Sequence, residues 1–128
     1  MVYLTLDDIL SIRDRIAQSA GARFEILTHN GLLSALAAPR RSAFGVEAFP
    51  TFVEKAAALA YALVQNHPFW DGNKRIASAA LRQFAEHNGA RLTAEDIDLR
   101  VFTTGIAKGA LRGSVLVKWI TDHIEYKA

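Results

Sequence analysis

Apolar residues recur in this chain at helical spacing, and the breaks between them fall at glycine and proline. Leu6, Ile9, Leu10, Ile12 and Ile16 share one helical face. Thr5 precedes them as an N-cap, with Asp7 and Asp8 in the first turn where unpaired amide groups favour acids; this helix ends near Gly21. Asn30-Gly31 opens a short helix, Leu32 to Ala38, stopped by Pro39. Pro39, Gly45 and Pro50 mark residues 39–50 as a loop or flap. From Thr51 to Asn66 the residues Phe52, Ala56, Leu59, Ala60 and Leu63 fall at offsets 0, 4, 7, 8 and 11, and the alanines favour helix and close packing. Pro68 and Gly72 interrupt regularity. A helix from about Asn73 to Asn88 then turns Ile76, Ala80, Leu81 and Phe84 to one side, and Asn88-Gly89 stops it. Thr93, with Asp96 three residues on, reads as the cap of a helix through about Ala107. Gly109 and Gly113 bracket a turn. Ser114 to Tyr126 reads as the last helix, with Val115, Leu116, Trp119, Ile120 and Ile124 inward. No repeat, low-complexity stretch or β-hairpin is evident. The expected class is all-α, a compact single-domain helical bundle over residues 1–128, with the two central helices as its core.

A chain of 128 residues is one domain by length and can bury a core without staples. It has no cysteine, which excludes a thiol nucleophile, a disulfide framework and a cysteine zinc site. Fifteen Lys and Arg against 13 Asp and Glu leave a net charge of +2, with no long basic cluster, so direct nucleic-acid binding is not expected. The first residues lack the basic start of a signal peptide. The longest apolar run, Ala56 to Val64, is nine residues, against the ~20 a membrane span needs. No membrane association is expected, and the expected location is the cytoplasm.

Chemistry concentrates in the break between the central helices. Residues 67–75 read His-Pro-Phe-Trp-Asp-Gly-Asn-Lys-Arg. A histidine's ordinary pKa near ~6.5 makes His67 a candidate general base at neutral pH. Phe69 suits a buried anchor for the loop; Trp70 suits either a cover or a stacking surface. Asp71 is a candidate Mg²⁺ ligand, because Mg²⁺ joins one or two carboxylates to substrate phosphates; an N-cap role is compatible with that. Gly72 lets the backbone turn tightly. Asn73, Lys74 and Arg75 form the first helical turn, whose N–H groups lack intrahelical partners and suit an anion. Two cations are unfavourable at the positive end of a helix unless a polyanion docks there. A His67/Asp71 metal pair on one helix is excluded by Pro68 and Gly72, and Walker spacing is absent. His29, His87 and His123 have no catalytic neighbours in sequence and read as structural or surface residues.

This nonapeptide resembles the signature of the Fic/Doc superfamily, H-x-F-x-(D/E)-(G/A)-N-(G/K)-R. Lys74, where most Fic proteins have glycine, resembles the Doc branch, the death-on-curing toxins. Asn30 to Pro39 and Phe52 to Val64 are similar to segments of Doc-type proteins, and residues 1 to 124 can be laid along the family. The resemblance implies a helical bundle with the motif loop at the N-terminus of a central helix. For Fic proteins it implies transfer of a nucleotide monophosphate to a protein hydroxyl, with His67 as base, Asp71 on Mg²⁺ and the backbone from Gly72 to Arg75 on the phosphates. For the Doc branch it implies a kinase that moves the ATP γ-phosphate to a threonine of elongation factor Tu, arrests translation and is neutralised by an antitoxin, typically Phd-like. Lys74, and Ser78 where adenylyl-transferring members often carry a second arginine, favour the Doc type. Gly72 stands where Doc has alanine, and either small residue should permit the turn. Thr121-x-x-x-Glu125 approaches an inhibitory Fic pattern that Tyr126 breaks, so inhibition is left to a separate antitoxin. A Fic-type AMP transferase and a catalytically idle binding module are the alternatives.

Overall fold

The computed structural model describes residues 1–128. Six helices make up most of it: α1 (Leu6–Ser19), α2 (His29–Ala37), α3 (Phe52–Gln65), α4 (Asn73–His87), α5 (Asp96–Ala107) and α6 (Ser114–Asp122). Hydroxyl caps start the first three. Thr5 Oγ1 accepts from the Asp8 N–H while the Asp8 carboxylate accepts from the Thr5 N–H, and the Thr28 and Thr51 hydroxyls accept from Gly31 and Glu54. The central pair is α3 and α4. Leu59 and Leu63 from one and Ile76, Ala80 and Phe84 from the other are almost wholly buried, with Ile9, Ile12, Phe102 and Ile120 packed around them. Alanines at positions 56, 57, 60, 77, 80 and 85, all buried, let the helix backbones approach closely. No helix is long and apolar enough to cross a membrane.

The all-α class holds, with two small additions and several shifted ends. Residues 38–40 form a 3₁₀ turn through Pro39, and the flap closes as a hairpin of β1 (Ser42–Ala43) and β2 (Val46–Glu47). Phe44 and Gly45 form its tip at φ +53° and +76°. Two residues per strand carry too little alternation to read as a strand. The last helix ends at Asp122, four residues before the expected end. Ile124–Tyr126 forms β4 and pairs antiparallel with β3 (Ala90–Leu92) in the register Ala90↔Tyr126, Arg91↔Glu125, Leu92↔Ile124. Ile-Glu-Tyr alternates with period two and offers residues that favour strands. Thr121 and Glu125 therefore lie on different elements, and Glu125 pairs with Arg91 at 3.1 Å. Thr93 is not a cap: its N–H donates to the His123 carbonyl, and Glu95 precedes α5, its N–H bonded to the Asp98 carboxylate. Leu6 and Val115, expected inward, are exposed.

Lys55 is charged and lies on the core side of α3, with a side chain only 3% exposed. The β1–β2 hairpin folds over it. Its Nζ donates to Glu47 at 2.8 Å and to the Pro39 carbonyl at 3.4 Å, and stands 5.9 Å from the Tyr3 ring centre. The bond to Glu47 raises its pKa above the ordinary 10.5, against the opposing effect of burial. A raised value means this contribution to stability is complete below the unfolded pKa and is lost as pH rises through the folded one. Lys55 should therefore make stability fall only in strongly alkaline solution. Lys55→Ala should lower stability by about 2–5 kcal/mol, as for other long buried side chains, and Lys55→Met should recover most of the packing. Thermal melts of both variants check this; equal losses would assign the effect to the ion pair alone.

Candidate functional site

Helix α3 stops at Asn66, whose N–H donates to Ala62 and whose side-chain amide donates to the Gly31 carbonyl. His67 follows in the left-handed region, at φ +47°. This is the position after a helix C-cap that glycine commonly takes, and an L-residue there is disfavoured by roughly 1–2 kcal/mol. The turn that ends α3 thus carries the histidine out of the helix and into a cleft. Beyond it the segment 25–28 runs antiparallel to 68–70. The Pro68 carbonyl accepts from Leu27 and Thr28, Ile26 and Phe69 form a bridge, and the Trp70 N–H donates to Glu25. Phe69 is fully buried beneath the loop.

Gly72 stands at the N-cap of α4 at φ +79° and supplies no capping side chain. Asp71 does not cap the helix; its Oδ1 accepts from the Gly72 N–H at 2.7 Å, one residue on. The N–H groups of Asn73, Lys74 and Arg75 open the helix with no acidic residue in the first turn. Asn73 is buried, and its side-chain amide closes the loop from within: Oδ1 accepts from the Phe69 N–H at 3.0 Å and Nδ2 donates to the Phe69 carbonyl at 2.8 Å. Nδ2 also lies 3.2 Å from His67 Nδ1.

These residues line one cleft of ≈ 270 Å³: His67, Asp71, Gly72, Asn73, Lys74 and Arg75, walled by Phe24, Val64 and Ala107. Lys74 and Arg75 also border a second groove of ≈ 690 Å³ along α4 and α5, where Arg100 adds positive charge and Arg82 pairs with Asp96 at 3.1 Å. Asp71 is the single carboxylate of the cleft, and no cluster of three or more His, Cys, Asp or Glu exists that could hold a metal ion. That donor set suits a cation completed by water and substrate phosphate, the usual habit of Mg²⁺, and not a dedicated protein cage. Trp70 is 65% exposed, which leaves most of its surface open to solvent. Ser78 Oγ donates to the Lys74 carbonyl at 2.9 Å, on its own helix. His29 and His87 are exposed, and His123 stacks on Trp119 with ring centres 4.0 Å apart.

Phe24 of the cleft wall, and Arg13 behind it, carry no sequence signal. Phe24 lies in the connection after α1, yet a Cβ on Gly72 would fall 2.5 Å from its ring carbons. Arg13 of α1 donates through Nη1 to the Phe24 carbonyl at 3.1 Å, with its guanidinium 5.9 Å from the Phe69 ring centre. It ties the wall of the cleft to the anchor of the loop.

The sequence profile of the Fic/DOC family matches residues 3–85, which include α1 to α3, the loop and most of α4. The chain is similar to the protein named Toxin Doc of Mycolicibacterium smegmatis (strain ATCC 700084 / mc(2)155). The two are 37% identical over 97 residues, 75% of this chain and 72% of that protein.

Proposed function

This chain belongs to the Fic/Doc family, and from that membership and its cleft we propose that it is the toxin of a toxin–antitoxin pair, acting as a Doc-like protein kinase. The observation that carries the reading is the convergence of His67, Asp71 and the open first turn of α4 on one cleft. The N–H groups of Asn73 to Arg75 would hold phosphate oxygens, with Lys74 and Arg75 adding charge. Asp71 would hold Mg²⁺, which when bound neutralises phosphate charge. His67 would take the proton of the attacking threonine hydroxyl. That oxygen bonds to the γ-phosphorus, the bond from phosphorus to the β–γ bridging oxygen breaks, and ADP leaves with the electron pair. By resemblance the target is a threonine of elongation factor Tu, the consequence is arrest of translation in the cytoplasm, and the neutralising partner is a Phd-like antitoxin.

Fic-type AMP transfer would use the same residues. Lys74 weighs against it, because its side chain occupies space that glycine leaves open beside the phosphate site. Ser78, whose hydroxyl bonds back to its own helix and which supplies no second cation, weighs against it too. An idle binding module would have no need of His67 in a disfavoured backbone conformation. The deciding experiment is incubation of the protein with elongation factor Tu and ATP labelled at the α- or the γ-phosphate. γ-Label on the target supports the kinase, α-label supports AMP transfer, and neither supports the idle module. Lys74→Gly should reduce γ-phosphoryl transfer and open weak adenylyl transfer, read as the mass added to the target. Unchanged phosphorylation would overturn this account of Lys74.

A further inference from the structure

The amide of Asn73 can face only one way. Its oxygen lies 3.0 Å from the Phe69 N–H and its nitrogen 2.8 Å from the Phe69 carbonyl. Exchanging them would set oxygen against oxygen and N–H against N–H. The backbone of one buried residue thus fixes which end of the amide is the donor. The NH₂ group has two hydrogens. One is held by the Phe69 carbonyl, and the second points toward His67 Nδ1 at 3.2 Å. A nitrogen that accepts a hydrogen bond holds its lone pair there. The single proton of a neutral imidazole must then sit on the other nitrogen.

We infer that Asn73 holds His67 in the Nε2–H tautomer, so that in the free protein the ring nitrogen left for a ligand is a donor and the accepting nitrogen is engaged. Asn73 is thereby a positioning residue that acts through His67. The consequence for catalysis rests on the kinase reading. A base must offer a lone pair. His67 can take a hydroxyl proton only at Nδ1, and only once its contact with Asn73 has parted. Nε2–H can meanwhile donate to a phosphate oxygen of the bound nucleotide. The resting cleft is then set to receive an anion, and the base is released when the exposed His67 ring turns away from Asn73.

The tautomer itself can be read without substrate, so failure of this inference and failure of the kinase reading are separable. In ¹⁵N-histidine protein in alkaline buffer, two-bond ¹⁵N–¹H correlation spectra distinguish a proton-bearing ring nitrogen from one with a free lone pair. The His67 signals are identified by their loss in His67→Gln. A lone-pair Nδ1 with a protonated Nε2 is the expected result. Asn73→Asp sets a carboxylate oxygen opposite Nδ1, which then keeps its proton, so the signature should invert. A protonated Nδ1 or an even mixture in the unsubstituted protein would overturn the inference, whether or not the variant folds. An uninverted spectrum from a folded Asn73→Asp would overturn it as well.

Discussion

His67→Ala should lower phosphoryl transfer by about 10²–10⁴-fold, the usual contribution of a positioned base, and should abolish growth arrest on expression. The fold should survive, because His67 is exposed and its ring makes a single hydrogen bond, to the Asn73 side chain. Backbone geometry makes a sharper test possible. At φ +47° an L-residue is disfavoured whatever its side chain, so alanine should gain nothing and glycine should gain about 1 kcal/mol. His67→Gly should therefore be inactive and melt higher than the unsubstituted protein. That pair of results would mark a position where stability is given up for chemistry. Retained activity in either folded variant would remove His67 from the mechanism. A lower melting temperature for glycine would show that the left-handed turn is not what holds the histidine in the cleft.

Gly72→Ala should be the most damaging single methyl group in the chain. Two independent effects add. At φ +79° a Cβ is disfavoured by roughly 1–3 kcal/mol. Its carbon would also lie 2.5 Å from two ring carbons of Phe24, a residue only 5% exposed whose backbone carbonyl accepts from Arg13. Overpacking of this kind costs about 1–3 kcal/mol. The melting temperature should drop by roughly 10 °C or more. Phe24→Leu in the same chain should recover the overpacking share and leave the backbone share. A melting temperature unmoved by Gly72→Ala would mean that the ring does not bear on this turn. The resemblance leads to the expectation that either small residue would permit this turn; the Phe24 ring packed against Gly72 is the reason a methyl group is expected to be costly in this chain.

The contrast between these two residues shows which parts of the site could be read from sequence. His67, Asp71 and Gly72 to Arg75 fall within nine consecutive residues, and a helix stop followed by a helix start brings such near neighbours together by local geometry alone. Phe24 reaches the same cleft, with Arg13 behind it, through packing of α1 against α4 and through pairing of 25–28 with 68–70. Neither contact leaves a periodicity or a spacing to find. Helix positions followed the same rule. Long amphipathic stretches such as Phe52–Gln65 declared themselves, with Thr51 and Asn66 as caps. The stretch Ile124-Glu125-Tyr126 did not, because Ile124 fits the helical face of Trp119 and Ile120 as readily as it fits a strand. What settles it is a partner strand more than 30 residues earlier. The flap hairpin is likewise held by Lys55, from an element outside it.

The loop 66–72 joins the end of α3 to the start of α4, so the two central helices meet at the cleft with opposite poles. Carbonyl oxygens without helical partners gather on the histidine side, and amide hydrogens on the phosphate side. In the proposed transfer a proton arrives at His67 while negative charge grows on the departing phosphate. Positive charge would then build at the negative pole and negative charge at the positive one. Separation of charge would run with the standing field of the two helices. Helices laid down as the core of the fold would thus act as a two-plate capacitor across the reaction, in place before any ligand arrives.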